Sequence, residues 1–146
     1  MTSLIIEPIG SLATELNSFL DERMFEFNVQ ATGFSDGRPF AGIVRDEANN
    51  IVAAIDGHTW GGCCQVVHLW VHESRRRHGH GSALLKLAEE EAVLRGCVQS
   101  QLLTHSFQAP AFYERAGYVR AATIENYPQG HAQHVYVKAL KAKGGA

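Results

Sequence analysis

The segment Arg75-Arg76-Arg77-His78-Gly79-His80-Gly81-Ser82 holds the most specific chemistry in the chain. Cationic side chains stand beside two glycines, and apolar residues follow at Ala83, Leu84, Leu87 and Ala88. Where such a segment opens a helix, the first-turn N–H groups have no intrahelical partner and the helix dipole adds partial positive charge. Glycines let a ligand approach the main chain without interference from Cβ atoms. The result is a pyrophosphate cradle made chiefly of backbone donors. Arg76 and Arg77 can add charge-assisted contacts. This is not a Walker loop, because no Gly-Lys-Ser/Thr follows. Nor is it the dinucleotide pattern Gly-x-Gly-x-x-Gly, because the glycine spacing differs and the segment sits mid-chain. Taken alone, it also fits a solvated basic turn with a glycine hinge.

The eight histidines and three cysteines are the next candidates for chemistry. Cys63, Cys64, His68, His72, His78 and His80 lie close in sequence. Yet adjacent Cys63 and Cys64 point to opposite faces of a strand, and no Cys-x-x-Cys pair is present. His68 and His72 share strand parity, not a helical face. We therefore expect no metal. An odd cysteine count with one adjacent pair is not a disulfide framework, so reduced thiols are expected. A cysteine nucleophile would need a poised Cys–His pair, and the sequence identifies none.

These groups need a scaffold. The chain has 146 residues, 45% of them hydrophobic, which suits one folded domain spanning 1–146, with 141–146 a flexible tail. Thirteen basic and fifteen acidic side chains give a net charge of -2, a weak basis for nucleic-acid binding. No apolar run approaches the roughly 20 residues that span a bilayer, and the start lacks a signal-peptide pattern. A cytoplasmic location without membrane partners is the expectation.

Leu4 to Glu7 reads as a short strand, and Ser11 to about Phe27 as a helix. Pro39–Arg45 and Ile51–Ile55 form a hairpin through Asp46-Glu47-Ala48-Asn49-Asn50. Val66–Val71 is a nearly continuous apolar run, which predicts a strand buried on both faces. Arg75–Gly81 is a loop, and Ser82–Arg95 an amphipathic helix closed by Gly96. Cys97–Thr104 is a strand, Ala109–Ala116 a short helix, and Tyr118–Ile124 and His134–Leu140 the last strands. The strand-helix-strand unit in the middle predicts an α/β fold with a mixed sheet.

Leu69-Trp70-Val71 with Arg76-Arg77-His78-Gly79-His80-Gly81-Ser82-Ala83-Leu84-Leu85, followed by Ser106-Phe107-Gln108-Ala109-Pro110-Ala111-Phe112-Tyr113-Glu114-Arg115-Ala116-Gly117-Tyr118, resembles the GNAT superfamily of acetyl-CoA-dependent N-acetyltransferases. The first block is similar to the family's central strand, pyrophosphate loop and following helix. The second is similar to its short helix. The resemblance runs from about residue 38 to about residue 140. It implies a central mixed, largely antiparallel, splayed sheet flanked by helices, with acetyl-CoA as cosubstrate. The pantetheine arm would pair with backbone at Leu69, Trp70 and Val71, as an added strand would. The pyrophosphate would lie on Arg76, Arg77, His78, Gly79, His80, Gly81 and Ser82. Ser106 falls where many members place an Asn that bonds the pantetheine, and Ala109 and Phe112 complete the cofactor side. Tyr113 falls where the family often has a Tyr near the cofactor sulfur.

The implied reaction is direct acetyl transfer to a primary amine of a small molecule or peptide. It needs a base, an oxyanion donor near Val71, and an acid for the thiolate. Tyr113 is expected as the acid. His68, His72, His105 and Glu26 are open as the base, with His68 carried forward. Glu26, Trp60 and His105 are expected to border the acceptor. A non-catalytic acyl-CoA-binding module on the same fold is the alternative, and a nucleic-acid-binding domain using Arg75-Arg76-Arg77 is a third reading. Family habit leaves a homodimer open.

Overall fold

A computed structural model describes residues 13–141. The expected strand at Leu4–Glu7 and the tail beyond residue 141 lie outside the described residues. The chain divides into two compact units, residues 1–35 and residues 36–146.

The first unit contains α1, Ala13–Thr32. It runs five residues beyond the expected end, because nothing between Asn28 and Thr32 breaks a helix. Gly33 ends it with φ +79° and an N–H donated to the Val29 carbonyl at 2.7 Å. Glu26 lies on this helix, paired with Arg23 at 2.7 Å.

The second unit is built on a six-stranded open sheet: β1 Arg38–Arg45, β2 Ile51–Trp60, β3 Cys63–Val71, β4 Gln99–His105, β5 Val119–Glu125 and β6 Ala132–Ala139. The strand order is β1-β2-β3-β4-β6-β5, and every pairing except β3 with β4 is antiparallel. A single-turn 3₁₀ helix at Glu73–Arg75 and helix α2, His80–Leu94, cross from β3 to β4. Helix α3, Pro110–Arg115, connects β4 to β5. The expected mixed, largely antiparallel sheet flanked by helices is the observed one. Strand β2 extends five residues past its expected end, because Gly57 stays within the sheet.

Helix α2 carries the core. Leu84, Leu85, Ala88 and Ala92 are buried on one stripe, against Phe40, Ala53, Ile55, Cys64, Val66 and Leu102 of the sheet. Tyr113, Tyr118 and Tyr136 continue the core under β4 and β6. On β4, Ser100, Leu102 and Thr104 are buried, while Gln99, Gln101 and Leu103 are exposed.

The expectation that Val66–Val71 is buried on both faces does not hold. Val67, His68 and Trp70 are exposed. The register explains why. Gly57 pairs with Val66 and Asp56 with His68, so Val67 is an extra residue in a β-bulge. The bulge shifts the alternation. Cys64 and Val66 before it, and Leu69 and Val71 after it, point toward the core; His68 and Trp70 point to the other face. Gly57 is required here. A Cβ there would fall on the Gln65 carbonyl oxygen and 2.6 Å from Phe40 Cζ.

Candidate active site

Strands β3 and β4 pair only from Cys63–Gln65 to Gln99–Gln101. Beyond that they part, leaving a wedge between Val66–Val71 and Leu102–His105. Alternate residues of an antiparallel strand direct both backbone groups to the same side. His72 donates its N–H to Val52 O of β2 at 2.8 Å. The backbone groups of Leu69 and Val71 therefore point away from β2, into the wedge. Those of Trp70 point to β2, where it pairs with Ala54. This corrects the inclusion of Trp70 with the cofactor-facing backbone: its half-exposed indole instead lies on the sheet face opposite α2.

The wedge opens toward the first turn of α2. Gly79 is the N-cap residue, in left-handed backbone with φ +81°, and no side chain caps the helix. The helix begins at His80, two residues before the expected Ser82. The first-turn N–H groups of His80, Gly81 and Ser82 thus lack helical partners. A Cβ on Gly81 would lie 3.4 Å from Phe112 Cζ and 3.7 Å from Val71 Cγ2. The starts of α2 and α3 and the end of β3 therefore converge at Gly81.

The three arginines separate. Arg75 pairs with Asp46 at 4.0 Å, and Arg76 Nε donates to Val71 O at 3.2 Å. Arg77, with φ +67°, is exposed and stands at the loop crest with His78, whose ring lies 6.3 Å from that of His80. The triplet does not form one cationic stripe of the kind a nucleic-acid backbone would track. Asp46 has its carboxyl held below the usual range, chiefly by the Asn50 backbone N–H. That interaction closes the β1–β2 turn.

Across the wedge, Gln108 Oε1 accepts the His105 N–H at 2.7 Å and so shapes the turn between β4 and α3. The Ala109 carbonyl accepts the Tyr113 N–H at 3.3 Å. Phe112 and Tyr113 meet edge to face at 5.1 Å. Tyr113 is 8% exposed. Burial pushes its phenol above its ordinary value. Among the described residues, no hydrogen bond engages its hydroxyl. A phenol kept protonated and unpartnered is a proton donor in waiting. Ser106 spends its oxygen elsewhere: its Oγ accepts the Ala132 N–H at 3.0 Å, tying the end of β4 to the start of β6.

His68 and His105 lie on the same face of the sheet, on the two strands that bound the wedge. His68 Nδ1 is 2.9 Å from Asp56 Oδ1. His105 is enclosed: its ring stacks between Phe107 at 5.3 Å and Tyr127 at 5.5 Å, and its Nδ1 meets the Tyr127 carbonyl at 3.0 Å. His72 Nδ1 is engaged by Ser74. Trp60 stands at the β2–β3 hairpin, at the closed end of the wedge, about 26 Å along β3 from Val71. The structure separates it from the Arg77–Ser82 loop. Sequence reasoning missed Asp56, which lies one residue past the expected end of the Ile51–Ile55 strand. No local signal marked it, because the extra residue shows only in the register of β3 against β2.

Among the described residues, no group of three or more His, Cys, Asp or Glu side chains gathers to hold a metal, and no helix is long and apolar enough to cross a membrane. The parted strands thus end at a helix N-terminus that no side chain caps, beside the Tyr113 phenol. The model of the acetyltransferase (GNAT) family matches residues 9–118, and the chain belongs to that family. Blasticidin-S acetyltransferase of Streptomyces morookaense is 37% identical over 116 residues, covering 77% of this chain and 85% of that protein. A protein of Agrobacterium fabrum (strain C58) named as an acetyltransferase is 30% identical over 118 residues, covering 81% and 86%. The crystal structure of an acetyltransferase from Bacillus cereus superposes with a TM-score of 0.79 at 29% identity, covering 94% of this chain and 98% of that one. The chain is thus an acyltransferase of the GNAT family.

Proposed function

We propose that the protein transfers an acetyl group from acetyl-CoA to a primary amine of a small molecule or peptide by direct attack. The observation that carries this reading is the wedge between β3 and β4, lined by the backbone of Leu69 and Val71 and ending at the first turn of α2. Pantetheine amides suit the strand-like edge, and the pyrophosphate suits the N–H groups of His80, Gly81 and Ser82. The overall change is R-NH₃⁺ plus acetyl-S-CoA to N-acetyl amide, CoA-SH and one proton. A base removes a proton from the ammonium, and the nitrogen lone pair attacks the thioester carbonyl carbon. The Val71 N–H faces the oxygen as charge develops there. The C–S bond then breaks, the Tyr113 phenol protonates the departing sulfur, and the second proton on the attacking nitrogen leaves to water, from which the phenol is restored. His68 on the sheet face opposite α2 is the base.

Calorimetry with acetyl-CoA and the full chain tests the cofactor half; absence of heat at about millimolar acetyl-CoA, a weak affinity on any scale, overturns it. Thiol release with blasticidin S, spermidine, lysine and a peptide with a free N-terminus tests the acceptor half. Blasticidin S belongs in the panel because a 37%-identical relative is named for it. Tyr113→Phe lowers kcat about 100-fold while the KM for acetyl-CoA stays within about twofold. An unchanged kcat removes Tyr113 from the acid role.

A further inference from the structure

The β-bulge at Val67 leaves a polar group that the sheet ladder does not satisfy. His68 sits where its N–H should meet a β2 carbonyl, but the extra residue displaces it. The Asp56 side chain takes that place: the His68 N–H donates to Asp56 Oδ1 at 3.0 Å. The same oxygen stands 2.9 Å from His68 Nδ1. One carboxylate oxygen thus grips the backbone and the ring of a single histidine. A grip at both points fixes the ring in a way that one exposed ion pair would not. The Asp56 and His68 side chains are 52% and 77% exposed, so the ring reaches solvent and ligand freely.

The geometry points to Asp56 as the positioning residue of a His–Asp pair, with His68 Nε2 as the atom that takes the proton from the acceptor ammonium. This rests on the acetyl-transfer reading above and adds to it the tautomer, the atom and the partner. A carboxylate on Nδ1 holds the proton there and leaves the Nε2 lone pair open. When Nε2 accepts the ammonium proton, the ring becomes an imidazolium facing a carboxylate. Asp56 does not itself become protonated. The proton then passes from the exposed ring to water, which returns the pair to its starting state.

The neighbours leave this pair its freedom. On the same sheet face, Ala41 of β1 opposes Asp56 and carries no charge. The titratable groups around the pair are His58 on β2, which pairs with Gln65, and His72 beyond β3, whose Nδ1 is engaged by Ser74. Across the wedge, β4 presents Gln101, Leu103 and His105, the last enclosed by its two aromatic neighbours. Gly57 contributes indirectly. It lets β2 and β3 approach closely enough for the bulge to form, and so places Asp56 beside His68.

The first test needs no acceptor. Long-range proton–nitrogen correlation spectra of the ¹⁵N-histidine-labelled full chain are recorded at about pH 8.5, where an unperturbed imidazole is neutral. The His68 signals are assigned by their loss in His68→Ala. The expected ring is protonated on Nδ1, and Asp56→Ala turns it to the Nε2–H form. A wild-type His68 protonated on Nε2 overturns the proposal. The second test is kinetic, with acetyl-CoA and blasticidin S. Asp56→Asn keeps an acceptor for the His68 N–H, and so keeps the bulge, but removes the charge. It lowers kcat about 10-fold or more, with the acetyl-CoA KM within about twofold. His68→Ala lowers kcat at least as far, and Asp56→Asn adds nothing in the His68→Ala background. An unchanged kcat in Asp56→Asn, or additive losses in the double variant, overturns the pair. Failure of the wild type to bind acetyl-CoA counts against the acetyl-transfer reading and leaves the tautomer result to decide the pairing.

Discussion

The two ends of α2 are built on opposite principles. At the C-terminal end, the Arg95 side chain is engaged. Arg95 Nε pairs with Glu91 at 3.0 Å, and its Nη1 donates to the Arg38 and Pro39 carbonyls and to Thr59 Oγ1, each at 3.1 Å. Within the helix, Glu89 receives Lys138 at 2.7 Å and the Tyr118 hydroxyl at 3.0 Å, and Tyr118 goes on to Ser100 at 2.8 Å. At the N-terminal end no side chain caps the helix, and the cap residue is a glycine. Stability is concentrated at one end, where side chains close the helix onto β1, β2 and β6. The other end keeps its donors free, which is what an anion site requires. A helix capped at both ends would be more stable and would bind nothing there.

This contrast can be broken from either side. The largest effect is expected from Gly81→Glu. A carboxylate among the first-turn donors, beside Phe112 and Val71, lowers acetyl-CoA affinity by about 100-fold or more, with thermal stability little changed. Calorimetry beside a melting curve checks both halves, and retained binding would remove the loop from the site. Arg95→Met is the converse. It leaves carbonyls and Thr59 at a 12%-exposed position without their donor. The expected cost is about 2–3 kcal/mol in urea unfolding, with acetyl-CoA affinity intact in the folded fraction.

A third test uses pH. Burial pushes the Cys64 thiol up from 9.0 to about 11. The unfolded chain therefore releases this proton first as pH rises. The contribution is full below about pH 9 and is lost as pH climbs through about 11. Cys97 shifts in the same direction, for the same reason. Cys64→Ser removes an ionisable group while keeping an acceptor for the Ser100 hydroxyl, so part of the alkaline loss of stability disappears. Unfolding midpoints at about pH 8 and about pH 10.5 would show it; an unchanged alkaline slope would mean that the thiol is solvated. The smallest effect belongs to Arg77→Ala. An exposed cation at the crest weakens acetyl-CoA binding only about threefold to fivefold, and more at low salt than at high. A loss as large as that of Gly81→Glu would shift the credit from backbone to side chain.

The glycine-containing loop before α2 was legible because its information is local. Eight consecutive residues contain the cations, both glycines and the start of the helix, and the following apolar stripe fixes which face of α2 packs. The hairpin at Asp46–Asn50 was legible for the same reason: Asn49 adopts the left-handed backbone, φ +68°, that its type tolerates. The bulge was not legible. Val66–Val67–His68 reads as uninterrupted strand, and only pairing with β2 shows that two residues oppose one. Nor did the apolar run show that one face of β3 is exposed at Val67, His68 and Trp70, since nearby composition does not say which face is covered. Trp60 was read as a site aromatic by type, whereas its position depends on distance from the open end of the wedge.

By itself, the sequence determined the class of fold, the order of its central elements and the helix terminus that can take a phosphate. These rest on short-range periodicity and on residue types within one turn or one strand. Tertiary structure decided which backbone groups face the wedge, which arginine stays unpaired, that Ser106 bonds Ala132, and that Asp56 meets His68. Each of these joins residues far apart in the chain, or depends on a one-residue shift in strand register. The reason is geometric: alternation assigns faces only once the register is known, and register is a property of two strands rather than one.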